Sequence, residues 1–266
     1  MRALWWVGLA CFWMNAMASG LQSQLVPGGL FIGKTEPDYR VFYQDREVMV
    51  NKDGRFIIGF GRDAKLKQSY IIRSDQGIDQ TRYLTLSPRT YDIQRLTGIE
   101  QKYVTPPEKV LARIREEAAE VKEARAETTR QFDLFNGFGW PVTGRISGVY
   151  GSQRVYNGKL GRPHYGLDVA VPTGTPVTAP ANGIVTLADE DLYYSGGTII
   201  IDHGFGIFSS FLHLSEVSVK EGQTITRGDI IGAVGATGRV TGPHLDWRYN
   251  WFDKRLDPQL LTLSKD

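Results

Sequence analysis

Between Arg40 and Phe60 the sequence RVFYQDREVMVNKDGRFIIGF alternates apolar and polar residues on both sides of Asp53-Gly54. A period of two marks a strand with one buried face, and an Asp-Gly pair between two such runs predicts a β-hairpin. Short segments of this kind, broken by turns, predict a small N-terminal β domain over residues 26–98. The period then changes. In TPPEKVLARIREEAAEVKEARAETTRQF, Thr105 stands as N-cap, Pro106 occupies the first helical position, and Glu108 completes a Thr-x-x-Glu capping box. Val110, Ile114, Ala118 and Val121 form one narrow apolar stripe, which predicts a linker helix over 105–132 with one packed face. The stripe lasts barely two heptads, too short for a partner-binding coiled coil. Beyond Phe132 glycine becomes frequent, and TIIID, IFSSFL and DIIGAVG are β-branched or aromatic runs of strand length. Residues 137–266 read as an all-β domain, so the chain is mainly β.

Composition narrows the class. A chain of 266 residues with 41% hydrophobic content can bury a sizeable core and is not disordered. Its net charge of +2 lacks the basic excess of a nucleic-acid binder, so no nucleic-acid partner is expected. The N-terminal residues change the picture more. MRALWWVGLACFWMNAMASG holds one Arg, an apolar run shorter than the roughly 20 residues of a membrane span, and the small-x-small pattern Ala16-Met17-Ala18. This predicts a signal peptide over residues 1–18 and a mature protein of the periplasm or cell envelope without a membrane span. Cys11 is the only cysteine, and the preceding VGLA lacks the large aliphatic residue expected ahead of a lipidated Cys. Removing 1–18 takes away Arg2 and no acid, leaving 30 basic and 29 acidic residues and no cysteine. Any metal must then be held by histidines and carboxylates.

All four histidines lie in the C-terminal domain. In RPHYGLDVAVP, His164, Gly166 and Asp168 share one strand face, while Leu167, Val169 and Val171 share the apolar one. A fully extended strand would hold His164 and Asp168 roughly 13 Å apart, so a bend at Gly166 is needed for both to reach one ion. In TGPHLDWRYNWF, His244 and Asp246 share a face opposite Leu245 and Trp247, so the pair can project into a groove. His213, in SSFLHLSEV, alternates with Phe211 and Ser209 on one face and can reach the same groove from an adjacent strand. Asp246 can alternatively bond Arg248 or a backbone amide, leaving the groove without a metal. His203, beside glycine in IDHG, reads as structural.

Taken together, RPHYGLDVAVPTGTPVTAPANGIV, IDHGFGIFSSFLHLSEV and EGQTITRGDIIGAVGATGRVTGPHL resemble the catalytic domain of the lysostaphin/LytM-type zinc endopeptidases over roughly residues 140 to 260. The resemblance implies a lipoyl-like, duplicated hybrid β barrel or sandwich. It implies that His164 and Asp168 are metal ligands, as the two ends of a His-x-x-x-Asp motif, and that His213 and His244 assist catalysis. Of these, His244 would be the general base and His213 would stabilise the oxyanion. The third ligand of the family is the second His of His-x-His, where this sequence has Asp246. Aspartate is a competent ligand, so one Zn²⁺ per chain is expected. A second carboxylate would weaken its Lewis acidity and make another divalent ion such as Mn²⁺ more welcome. The implied function is metal-dependent peptidoglycan endopeptidase, cutting cross-link peptides in the bacterial cell envelope. The alternative is a catalytically inactive LytM-domain regulator that binds peptidoglycan or activates another cell-wall hydrolase. Peptidoglycan is the expected partner, together with other envelope hydrolases or division proteins. The N-terminal β domain and helix resemble the regulatory or docking regions that precede this domain in exported Gram-negative members. EGQTITRGDIIGAVG also looks like the hairpins of biotinyl and lipoyl carriers, but no lysine stands between ITRGD and the end of TGRVTG to carry a cofactor.

Overall fold

A computed structural model describes residues 20–96, 108–130, 134–156 and 159–263. The expected signal segment, and Thr105 and Pro106 of the capping box, lie outside the described residues. The N-terminal strands are β1 (Leu30–Lys34), β2 (Arg40–Tyr43), β3 (Arg46–Val48), β4 (Arg55–Gly59), β5 (Lys67–Arg73), β6 (Asp79–Thr85) and β7 (Ile93–Leu96). They form two antiparallel sheets, β1-β4 and β3-β2-β5-β6, while β7 leaves them. The turn at Asp53-Gly54 is present, with Asn51 Oδ1 accepting from the amides of Asp53 and Arg55. It does not close a hairpin between β3 and β4, however. It hands the chain from one sheet to the other, because β4 is hydrophobic on both faces and pairs with β1, whose end crosses the turn where Thr35 N–H bonds the Gly54 carbonyl. Only the single bridge Val50–Phe56 remains of the expected pairing.

The linker helix is α1 (Leu111–Glu123), shorter than the 105–132 expected from the stripe. It is amphipathic as predicted, but Ala118 is exposed and Glu117 faces the protein instead, its carboxylate accepting from the Tyr193 amide at 2.8 Å. Val121 and Ala124 pack on Leu187, Leu192, Ile200 and Phe208. The helix ends there because the next turn is drawn into the sheet: Thr128 Oγ1 and the Thr129 amide both donate to the carboxylate of Asp202.

The C-terminal strands are β8 (Arg145–Gly148), β9 (Gln153–Tyr156), β10 (Lys159–Leu160), β11 (Leu167–Ala170), β12 (Pro176–Thr178), β13 (Gly183–Leu192), β14 (Gly196–Asp202), β15 (Ile207–Val217), β16 (Thr224–Ile225), β17 (Ile230–Val234), β18 (Leu245–Trp251) and β19 (Lys254–Leu256), followed by α2 (Pro258–Leu261). Ten of them form one sheet whose main path is β16-β13-β14-β15-β18-β11-β8, with β12-β17 joined to β15 and β19 to β18. The fold is mainly β.

The two regions share a core. One apolar cluster runs from Leu30, Phe56 and Ile58 through Trp247, Trp251 and Leu256. The ring of Tyr43 packs 5.8 Å from that of Trp251. β7 pairs in parallel with β9, so the last strand of the 26–98 span completes a sheet of the C-terminal region. Across the same seam Arg89 forms an ion pair with the fully buried Asp257, whose other oxygen caps α2 through the Gln259 amide.

Candidate active site

The site starts from a register. β11 and β18 are antiparallel neighbours, and Asp168 stands directly opposite Asp246, with Leu167 opposite Trp247 and Val169 opposite Leu245. The strand alternation sends Leu167, Val169, Leu245 and Trp247 into the core and turns both carboxylates to the other face. Two like charges directly opposite destabilise a sheet, so the pair calls for a cation.

His164 arrives from the irregular segment before β11. The chain bends at Gly166 and brings the imidazole back over the strand, with Nε2 3.2 Å from Asp168 Oδ1. The bend expected there is present, and glycine is needed for a second reason. A Cβ on Gly166 would lie 2.3 Å from Asp246 Oδ1 and 2.9 Å from the Trp247 carbonyl oxygen. Gly148 of β8, on the other side of β11, meets the same constraint: its Cβ would lie 2.2 Å from Asp168 Oδ2. No sequence pattern singled out Gly148, because only the β8–β11 pairing sets it against the carboxylate.

His213 reaches the groove by a different route from the one expected. Phe211 pairs with Trp247 in the core and Ser209 bonds His203, so a regular strand would have sent His213 to the core side with them. A register shift between β14 and β15 sets Leu212 and His213 against the single residue Thr198, and His213 takes a left-handed backbone with φ 67°. That bulge turns the imidazole to the face of Asp246. Its ring centre lies 5.0 Å from that of His244. A non-glycine residue held in this conformation stores backbone strain of the sort concentrated at functional sites.

The two imidazoles have matching tautomers. His213 Nδ1 lies 3.0 Å from the Thr237 carbonyl oxygen, and His244 Nδ1 lies 2.9 Å from that of Gly242. A carbonyl oxygen only accepts, so each Nδ1 carries a proton, and the neutral form of either ring has its lone pair on Nε2. His244 Nε2 is 3.9 Å from Asp168 Oδ1. Burial lowers the His213 pKa, against the pull of Asp246, and keeps the ring neutral.

Asp246 is bonded to Arg248, which lies two residues along on the same face. Nε donates to Oδ1 at 2.9 Å and Nη2 donates to Oδ2. Burial pushes the Asp246 carboxyl up, but Arg248, His164 and His213 outweigh it and hold the group below its ordinary value, hence ionised. The alternative partner for Asp246 is therefore present, yet it does not pull the carboxylate out of the cluster. One ligand atom each from His164, Asp168 and Asp246 lies within 4.8 Å of the others. His164 Nε2 and Asp168 Oδ1 are both buried and lack any hydrogen-bond partner. Buried polar atoms are normally satisfied, and two such donors facing one another have the chemistry to ligate a divalent cation.

His203 belongs to the core face. It is fully buried between the Asn182 carbonyl and the Ser209 hydroxyl, 2.8 and 2.7 Å from its two nitrogens, and burial lowers its pKa to about 4.

One imidazole and two carboxylates within 4.8 Å of one another, with two further imidazoles beside them on a β sheet, could hold a metal ion, an arrangement of the metallopeptidase class. Comparison with known proteins makes the assignment specific. Residues 162–258 match Peptidase family M23. A crystal structure of a putative peptidase M23 from Pseudomonas aeruginosa superposes with a TM-score of 0.72 at 32% identity, covering 90% of this chain and 95% of that one. The chain belongs to peptidase family M23. Peptidoglycan DD-endopeptidase ShyA of Vibrio cholerae is 42% identical over 104 residues, 39% of this chain and 24% of that protein. DD-carboxypeptidase/endopeptidase Mpg of Neisseria meningitidis is 41% identical over 102 residues, 38% of this chain and 23% of that protein. The chain thus spans about a quarter of the length of these curated relatives. Among the described residues no helix is long and apolar enough to cross a membrane.

Proposed function

We propose that this protein is a metal-dependent peptidoglycan endopeptidase of the bacterial cell envelope, exported by residues 1–18 and acting on the peptide cross-links. The observation that carries this reading is the buried, unpartnered pair His164 Nε2 and Asp168 Oδ1, with the Asp246 carboxylate beside it. The name of ShyA supplies the substrate class, and that of Mpg shares its endopeptidase activity.

His164, Asp168 and Asp246 would hold the ion, with Zn²⁺ the first candidate. Bound there, a divalent metal supplies the Lewis acidity that polarises a peptide carbonyl. Arg248 keeps Asp246 aimed and offsets part of its charge, while each oxygen retains a lone pair for the ion. His244 is the leading general base, since its Nε2 lone pair lies beside Asp168 and can take the proton of an attacking water. His213 stands across from it. Once protonated, its Nε2 becomes a donor aimed into the groove, able to stabilise the oxyanion or deliver a proton to the leaving amine. The inactive-regulator alternative is disfavoured by this convergence, because a decayed site has no use for a strained His213 and two orphaned buried atoms.

The test is digestion of purified sacculi by the mature protein, loaded with Zn²⁺ or Mn²⁺. EDTA-sensitive loss of cross-linked muropeptides is expected. An unchanged muropeptide profile from a sample with about one metal per chain by elemental analysis would refute it.

A further inference from the structure

The groove face carries two arginines that the reading above leaves unused. β15 pairs Ser210 with Arg248, next to the Leu212–Asp246 pair, and β18 pairs Asn250 with Arg255. A polar row therefore leads away from the metal triad through Arg248 to Asn250 and Arg255. Arg125, just past the end of α1, enters this row from above. Its Nη2 donates to Ser210 Oγ at 2.9 Å and its Nη1 to the Val121 carbonyl at 3.2 Å. Arg255 Nη1 donates to Asn250 Oδ1 at 2.9 Å.

Both arginines are only partly exposed, and among the described residues neither has a carboxylate within ion-pair distance. The one anion close by, Asp246, has both oxygens engaged by Arg248. The Nε of Arg125 is buried and bonded to nothing. Burial, reinforced by Arg255 and Arg248, lowers the Arg125 pKa to about 9. Burial and Arg248 lower that of Arg255 to about 10, so both stay cationic at neutral pH. Cations held partly out of water without a counter-ion are costly, so an anion brought to this row would be favoured. Access exists as well. Tyr165, the neighbour of His164, lines a cavity of about 500 Å³ together with Arg255 and Arg62, and Arg125 approaches from outside its lining. A peptide leaving the triad past Tyr165 would meet Arg255.

We propose that Arg125 and Arg255 form a carboxylate-binding subsite beside the metal triad, which anchors a free carboxylate of the peptide being cut. The guanidinium fork matches a carboxylate geometrically, and the local excess of cations over anions selects the acid over its amide. The proposal rests on the peptidase reading for its substrate but can fail separately from it.

The experiment is calorimetric binding to the full chain in EDTA, so that nothing is cut. The probes are acetyl-L-Ala-γ-D-Glu-L-Lys-D-Ala-D-Ala and its two monoamides, one at the terminal and one at the glutamyl carboxylate. One of the two amidations, which identifies the anchored group, is expected to weaken binding about 10- to 100-fold, the range of charge-assisted hydrogen bonds. Arg125→Gln and Arg255→Gln should each remove most of that preference, the double variant all of it, and Arg255→Lys should retain part. Equal binding of acid and both amides by wild type, no binding of any of them, or an undiminished preference in the folded double variant overturns the subsite. If Arg125→Gln releases α1 and unfolds the protein, Arg255→Gln with the amidated probes decides alone. Sacculus digestion run in parallel separates the two ideas. Digestion without a carboxylate preference sinks only the subsite, and a preference without digestion sinks only the peptidase reading.

Discussion

The two faces of the β14–β15–β18 sheet treat their histidines in opposite ways. On the core face, both ring nitrogens of His203 are engaged, and its ring packs against Phe138 and Tyr249. On the groove face, His213 and His244 spend only Nδ1 on a backbone carbonyl, and His164 keeps a buried Nε2 with no hydrogen-bond partner. A histidine with both nitrogens satisfied completes the core, whereas a held ring with a free lone pair is available for a metal or a proton. The acids show the same contrast in occupancy, although Asp202 pairs with Phe208 on the side of α1: it is filled by Thr128, Thr129 and Gly204, while Asp168 Oδ1 is left open.

Asp246→Ala tests the groove face most severely. Metal content is expected to fall from about one ion per chain to near none, and muropeptide release to background, since two protein ligands rarely hold zinc against dialysis. Asp246→His should retain the ion. If wild type and Asp246→Ala both purify without metal, even from zinc-supplemented buffer, the metal reading fails. His244→Ala should lower turnover about 10²- to 10⁴-fold, as expected for a lost general base, with metal content intact. Loss of the ion in that variant would move His244 into the ligand set. Gly148→Ala drives a methyl into Asp168 without touching any charge. Metal binding about 10- to 100-fold weaker, read by competition with a chelating dye, is the expected result, and an unchanged affinity would mean that β8 yields freely.

The core face is tested by pH. The pKa of His203 is lowered from its ordinary 6.5 to about 4 in the fold, so as pH falls the unfolded chain takes up this proton first. The stability contributed by the neutral ring is complete above pH 6.5 and is lost between there and pH 4, about 3 kcal/mol in all. His203→Gln should start less stable but show a shallower decline across that window by thermal melting. A parallel decline in both proteins would place the sensitivity elsewhere. The smallest effect belongs to Arg113→Ala on α1, where a half-exposed arginine loses its pairs with Glu117 and the exposed Asp191. No measurable change in melting temperature is expected.

The sequence by itself was enough wherever the signal was local. Alternation in LDVA and LDWRYNW is sufficient to turn Asp168 and Asp246 away from the apolar face, because successive side chains of any strand point to opposite sides. The bend at Gly166 was legible for the same reason, from the distance an extended chain would leave between His164 and Asp168. The glycine-rich, β-branched character of the C-terminal half announced a mainly β fold, and the apolar stripe announced a helix. What remained hidden depends on which strands meet. The Asp53-Gly54 turn reads as a hairpin until β1 takes β4 as its partner. His213 reads as sharing a face with Phe211 until pairing with β14 leaves one residue too many and the strand bulges. Gly148 carries no signal until β8 lies against β11, and Arg125 reads as one more charge on a solvated helix until the end of α1 settles beside Ser210. Alternation and turn chemistry act between residues near in the chain, whereas register, bulges and the burial of a charge are fixed by contacts between distant segments, which exist only once the sheet has closed.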